Sequence, residues 1–190
     1  MKKKSQKKIK IISGKWKGRT LILPKNQPKL RPTKNQIRET LFNWLNPIIY
    51  KTRCLDCFAG SGILGLEAIS RGASISFLLE NNSIIRNYTI KNLQTLKIKN
   101  AISILTNSIF WLKKTKKIFD IVFIDPPFQK KTLLKKTIKI LEKKILSKNA
   151  WIYIETNANS STNVTIPKIW KKYKKKITGN VLYQLYHKST

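Results

Sequence analysis

Long apolar runs are missing from this chain of 190 residues, and none approaches the roughly 20 residues that a bilayer-spanning helix needs. No transmembrane segment is expected. The opening "MKKKSQKKIKIIS" is basic, but its apolar part is brief and alternating, and no small-residue cleavage site follows. It does not read as a signal peptide. Cysteine is scarce, and two thiols cannot make a disulfide scaffold, so a reducing cytoplasm is the expected compartment. Cys54 and Cys57 form a C-x-x-C pair, yet residues three apart on an extended strand point to opposite faces. The thiols should diverge as buried structural groups, and no metal site is expected. His187, the single histidine, has no evident partner near the C-terminus and reads as a surface residue.

Acid is the deepest deficit. Eight Asp and Glu face 40 Lys and Arg, for a formal net charge of +32. The direct inference is a polyanionic partner, and nucleic acid fits best. Only six of the basic residues are arginines, at positions 19, 31, 38, 53, 71 and 86. Abundant lysine, isoleucine and asparagine are what AT-rich coding DNA tends to produce whatever a protein does. Single lysines therefore carry little weight as contacts.

A chain of this length can bury one sizeable core and need not be two domains. Residues 1–8 read as a disordered, lysine-rich tail. "IKIISGKWKGRTLILP" gives two strand-like runs around Ser13 and Gly14, so residues 9–30 are expected to hold a small N-terminal β-hairpin extension. Residues 31–190 then form the main domain. "TKNQIRETLFNWL" carries Ile37, Leu41, Trp44 and Leu45 at amphipathic-helix spacing, with Thr33 as the expected N-cap. From residue 53 onward short apolar strands ("CLDCF", "SISFLLE", "AISIL", "FDIVFID", "AWIYIE") alternate with helical stretches. This succession predicts a Rossmann-like α/β fold, a parallel, doubly wound sheet with helices on both faces. The C-terminal "WKKYKKKITGNVLYQLYHK" reads as an antiparallel hairpin around Gly179 and Asn180.

"LDCFAGSGILGLEA" places Gly60, Gly62 and Gly65 in G-x-G-x-x-G spacing between a strand and a helix, and Glu80 ends the next strand. Such a loop lets the backbone approach a nucleotide-like ligand, with the carboxylate near its ribose hydroxyls. A nicotinamide dehydrogenase would usually need further chain for a substrate domain. Asp56, just before the loop, would also repel a pyrophosphate. S-adenosylmethionine (AdoMet) has no phosphate, so the loop favours AdoMet.

"DIVFIDPPFQ" ends a buried strand with an acid, two prolines and an aromatic ring. In a doubly wound sheet, ligands sit beyond the carboxyl ends of the strands, so Asp125 to Phe128 share a crevice with the glycine loop. An exocyclic amino group on a base is a poor nucleophile, because its lone pair is delocalised into the ring. Two acceptors aimed at its N–H bonds turn that lone pair toward an electrophile. Asp125 and the carbonyl of Pro126 can supply them, Pro127 helps fix the carbonyl, and Phe128 can stack on the base. Catalysis is then mainly positioning and preorganised electrostatics. Asp125, with an ordinary carboxyl pKa of about 4, is expected to be ionised. The motif itself does not choose between guanine and adenine amines, and a non-catalytic RNA-binding module is the alternative from another class.

The stretches "KIISGKWKGRTL", "LRPTKNQIRETLFNWL", "CLDCFAGSGILGLEAISRGA" and "IVFIDPPF" resemble the bacterial small-subunit ribosomal RNA guanine-N2 methyltransferases of the RsmD type. The resemblance implies a seven-stranded class I methyltransferase fold and AdoMet as donor. It implies a guanine of 16S ribosomal RNA as target, reached by a monomer on the small subunit or its assembly intermediate. By the same resemblance Asp56, Phe58, Gly60, Gly62 and Glu80 line the cofactor site, and Asp125, Pro126, Pro127 and Phe128 form the catalytic motif. Asn82 stands where an acid is common. Asn107, with Ser108 beside it, falls where such enzymes often carry an acid near the adenine, so an altered adenine contact is expected. For the RNA, basic residues interleave with an aromatic in one region: Lys15, Trp16, Lys17 and Arg19 on the hairpin, then Arg31, Thr33, Lys34 and Arg38. This region is expected to grip the phosphate backbone while the target base swings out.

Overall fold

The alternating apolar runs become one sheet in the computed structural model, which describes residues 7–25, 27, 30–127, 131–159 and 164–189. Two short strands, β1 (Lys8–Lys10) and β2 (Thr20–Ile22), pair antiparallel as the expected hairpin, and α1 (Asn35–Leu45) follows. The main unit then runs β3 (Arg53–Asp56), α2 (Ile63–Ser70), β4 (Ile75–Glu80), α3 (Ser83–Thr95), β5 (Ala101–Leu105), α4 (Ser108–Lys114), β6 (Phe119–Ile124), α5 (Lys131–Lys143), β7 (Leu146–Asn157), β8 (Trp170–Thr178) and β9 (Val181–Lys188). The seven strands β3–β9 stand in the order β5-β4-β3-β6-β7-β9-β8. β3 to β7 are parallel, whereas β9 is antiparallel to both β7 and β8. The sheet order reverses between β3 and β6. That switch point is where such sheets open a ligand crevice.

The central strands are apolar throughout because both faces are covered. On one face Cys54, Leu78, Ile121, Phe123 and Tyr153 pack with residues of α1, α2 and α3. On the other, Cys57, Leu55, Leu79, Val122 and Ile124 pack with α4 and α5. The two thiols thus diverge into opposite cores, both free and buried.

Two details differ from the sequence reading. The N-cap of α1 is Lys34, without a side-chain cap bond, rather than Thr33. Thr33 is buried instead, beside the buried carboxyl of Glu155. His187 is half-buried, not a free surface residue: its ring lies against Trp151, 4.5 Å between centroids. Residues 1–6 of the expected tail lie outside the described residues. Among the described residues, no helix is long and apolar enough to cross a membrane.

The N-terminal hairpin is locked to the sheet by one buried acid. Glu67 on α2 is fully buried and accepts the backbone N–H groups of Ile12 and Ser13 at 2.9 and 3.0 Å. Arg71 reaches it at 3.0 Å and Arg38 at 3.4 Å. Beside it, Lys15 N–H donates to the Ser70 carbonyl and the Trp16 indole donates to the Leu96 carbonyl. Ser70 and Leu96 end α2 and α3, so the hairpin turn sits at the N-terminal edge of the strands. The crevice lies at the other edge.

Candidate active site

Four carboxylates line the carboxyl ends of four parallel strands: Asp56 ends β3, Glu80 ends β4, Asp125 follows β6 and Glu155 lies on β7. Register brings the last two together, since Ile124 pairs with Ile154 and the acids follow directly. Asp56 is 1% exposed. One of its oxygens accepts the Phe58 N–H at 3.4 Å, while Oδ2 is buried with no hydrogen-bond partner among the described residues. Glu80 accepts the N–H of Gly60 at 2.9 Å and that of Asn82 at 2.7 Å, which fixes it under the glycine loop. Each of its oxygens keeps a lone pair for a further donor.

The glycines fit this path. Gly60 and Gly62 adopt φ of +50° and +75°, in the left-handed region that favours glycine. Gly65 lets α2 pack on β4: a Cβ there would stand 2.2 Å from Leu78 Cδ2 and 2.6 Å from Ser76 Oγ. Ser108 Oγ donates to the Cys57 carbonyl, tying the start of α4 to the same loop.

Among the described residues, none of the four crevice acids takes part in an ion pair. The other half of the chain's acids is spent differently: Glu67 as described, Asp120 on Arg53, and Glu39 and Glu142 in solvent. Burial, aided by the charge of Asp125, pushes Asp56 up to about 8. Burial pushes Asp125 to about 7. Glu155 rises well above the ordinary carboxyl range through burial and then the charge of Asp125, and burial raises Glu80. The ordinary carboxyl pKa expected for Asp125 thus gives way to a raised one, with burial as its cause.

The sequence reading missed Glu155. It is 3% exposed and accepts a 2.8 Å hydrogen bond from the Tyr153 hydroxyl. Its signal was available, because "WIYIE" repeats the pattern of "IVFID", an apolar strand closed by an acid.

The remaining residues fall as follows. Pro126 is buried, Pro127 is exposed, and Phe128 lies outside the described residues. Phe58 packs, half-buried, on the α4/α5 side. Asn107 is exposed and its side-chain oxygen caps α4 through the Phe110 N–H. Asn82 caps α3 through the N–H groups of Ile84 and Ile85, a task Asn performs as well as Asp.

The basic set does not gather at one place. Arg31 and Lys34 are exposed near the crevice, where the neighbouring Leu30 touches the glycine loop. Lys15, Lys17 and Arg19 are exposed on the hairpin, with Trp16 half-buried among them. They sit by the far end of α3, whose 13 residues span about 20 Å. They do not border the pocket. Arg38 is fully buried and bonds the Lys10 carbonyl, Asn35 and Glu67. It is a structural ion-pair member and cannot touch a phosphate; Thr33, turned inward to Glu155, is likewise withdrawn from any RNA surface. Among the described residues no group of His, Cys, Asp and Glu is arranged to hold a metal ion.

A switch-point crevice in a seven-stranded sheet with an antiparallel C-terminal hairpin defines the class I methyltransferase fold. The solved structure of methyltransferase yhhF from Escherichia coli superposes with a TM-score of 0.89 at 42% identity, over 97% of this chain and 99% of that one. The family described as Conserved hypothetical protein 95 matches residues 9–187. Ribosomal RNA small subunit methyltransferase D of Buchnera aphidicola subsp. Acyrthosiphon pisum is 54% identical over 185 residues, 96% of this chain and 95% of its own length. The Escherichia coli K12 protein of that name is 45% identical over 181 residues, 95% and 90% of the two chains. This chain belongs to the ribosomal RNA small subunit methyltransferase D family.

Proposed function

We propose that this protein transfers a methyl group from AdoMet to the exocyclic N2 amine of a guanine in 16S ribosomal RNA. The observation that carries the reading is the set of four crevice acids without an ion-pair partner among the described residues, in a chain of net charge +32. Such a site is unfavourable as it stands and favours a cationic ligand. AdoMet, when bound, supplies an electrophilic methyl on a sulfonium cation. Its fit is supported by the unpartnered Oδ2 of Asp56 and by the spare acceptor capacity of Glu80, suited to an amine and to ribose hydroxyls respectively. Phe58, Gly60 and Gly62 would line the same ligand, with Asn107 and Ser108 toward its adenine.

Asp125 is the acceptor for one N–H of the target amine and the Pro126 carbonyl for the other. Phe128 is the stacking partner of the base. The positive charge of the cofactor lowers the pKa of Asp125 from about 7, so the acceptor is charged when the amine arrives. After transfer the amine nitrogen carries an extra proton, which Asp125 can take. Ribosomal RNA as substrate rests on the relatives named above, and guanine on the family, since the same motif serves adenine amines elsewhere.

The test is a purified-protein assay with methyl-labelled AdoMet and 16S ribosomal RNA, followed by nucleoside analysis. N2-methylguanosine is the expected product. N6-methyladenosine would overturn the choice of base, and AdoMet binding without transfer to any nucleic acid would make the protein a binding module.

A further inference from the structure

The strand β8, "WKKYKKKIT", is the outer edge of the seven-stranded sheet and is exposed from Lys171 to Ile177. Lys171 lies opposite His187, Lys174 opposite Leu185 and Lys176 opposite Tyr183. Directly paired residues share a face of the sheet. Leu185 and Tyr183 belong to the core under α1, so these three lysines project on the α1 side in one row. Tyr173 occupies the irregularity between Lys172 and Lys174. It is 51% exposed and is held edge-on against Trp151 at 5.0 Å between ring centroids.

Direction links this row to the crevice. β9 is antiparallel to β7 and β8 is antiparallel to β9, so β8 runs with β7 and ends on the side of Asp125 and Glu155. There the turn at Gly179 lies against Lys34, whose Nζ is 3.7 Å from where a Cβ on Gly179 would stand. Lys34 adjoins Thr33, which lies beside Glu155 at the crevice. Neither β8 nor β9 contains an acid, and no lysine of β8 is in an ion pair among the described residues.

The geometry assigns the α1-side row of β8, continued by Lys34, as a track for the phosphate backbone of the substrate RNA, leading the strand into the crevice. From Lys171 to Lys176 the row is about 17 Å long, and on to the Gly179 turn beside Lys34 about 26 Å, at about 3.3 Å per residue, enough for several nucleotides, and Tyr173 offers a ring on which a base stacks. This rests on the proposed action on RNA. Lysines on an edge strand also deter sheet-to-sheet association, and Lys172 and Lys175 project on the opposite face, but that task does not require an exposed tyrosine or a path to the active site.

The test compares the full-length triple variant Lys171→Gln/Lys174→Gln/Lys176→Gln with an equally discharged control on α5, Lys135→Gln/Lys139→Gln/Lys143→Gln. The probe is protein-free 16S ribosomal RNA titrated from low to moderate salt, with methyl transfer followed in parallel. Each lost phosphate contact lowers the salt slope of the affinity by about 0.7–0.9, so the β8 variant should lose about two in slope. It should raise KM for RNA at least about tenfold while kcat at saturating RNA stays within about twofold. The α5 control should keep the wild-type slope and KM. Equal losses in both variants would mean that bulk charge alone holds the RNA, and the track fails. An unchanged RNA affinity in the β8 variant, with or without self-association, would make the lysines edge guards and also overturn it. Should the wild-type protein bind this RNA but methylate nothing, the functional proposal falls, while the slope comparison still decides the track.

Discussion

Two clusters of buried acid in this molecule are built in opposite ways. At the N-terminal edge of the sheet, Glu67 is closed: two arginines and two backbone N–H groups surround it. At the carboxyl edge, Asp56, Asp125 and Glu155 form no ion pair among the described residues, and one oxygen of Asp56 finds no hydrogen-bond partner there. The chain has 40 basic residues available, so the open cluster is not a shortage of positive charge. A closed cluster is complete without a ligand and serves the fold. An open one is completed by something that arrives.

The largest effect should come from breaking the closed cluster. Glu67→Ala leaves Arg38 buried with its charge unmatched, which typically costs about 3–5 kcal/mol. Denaturant unfolding should show a loss of that size. Removing residues 1–24 should be worse, because Ile11 and Leu21 leave the core and Glu67 loses its backbone donors. A truncated protein that still melts like the intact one would mean the hairpin is an accessory and not part of the core.

Next comes the chemistry of the open cluster. Asp125→Ala removes one acceptor of the target amine and should slow single-turnover transfer about 10²–10³-fold, the range for losing one preorganised contact to the reacting group. AdoMet affinity by calorimetry should stay near wild type. Transfer at the normal rate in this variant would take the role away from Asp125.

A smaller loss is expected at the cofactor. Glu80→Ala should weaken AdoMet binding by about 1.5–3 kcal/mol, the range for hydrogen bonds to a charged group. Equal affinity in mutant and wild type would move the ribose contact elsewhere.

The two clusters also show what sequence can and cannot tell. Periodicity was enough for the alternation from β3 to β7, for the divergence of Cys54 and Cys57, and for the hairpin at Gly179, because each is a local consequence of side-chain period and turn chemistry. The crevice was legible where strand ends carry marked residues: Asp56, Glu80 and Asp125 each close an apolar run, and the structure places them at the carboxyl ends of neighbouring strands. Arg38 was misassigned because a cation in a polar segment looks the same whether it meets a phosphate or a buried carboxylate 29 residues away. The hairpin lysines were misplaced for a related reason. Closeness in sequence to a domain says nothing about which end of α3 a turn will reach. The pKa of Asp125 was also out of reach, since it depends on burial by the folded chain around it.

The finest comparison sets Asp56 against Glu67 by removing charge from the open cluster. Asp56 is raised to about 8, with burial as the first cause and Asp125 as the second. The folded protein therefore holds this proton more tightly than the unfolded chain does between about pH 4 and pH 8, and folded stability falls as pH rises through that window. Asp125 and Glu155 act in the same direction, so one substitution should flatten the profile without levelling it. In ligand-free protein at pH 8, Asp56→Asn should stabilise by several kcal/mol, with about 5 kcal/mol as the upper limit for a rise from 3.8 to about 8 at about 1.4 kcal/mol per unit. The gain should vanish below about pH 4, where both carboxyls are protonated. AdoMet should reverse the order, because its cation favours the charged acid that the variant lacks: wild type should gain more in melting temperature from saturating AdoMet than Asp56→Asn does. Melting curves from pH 4 to pH 8, with and without AdoMet, measure both halves. If Asp56→Asn instead lowers stability at pH 8, as Glu67→Ala should, then Asp56 is as closed as Glu67 and the crevice does not await a cation.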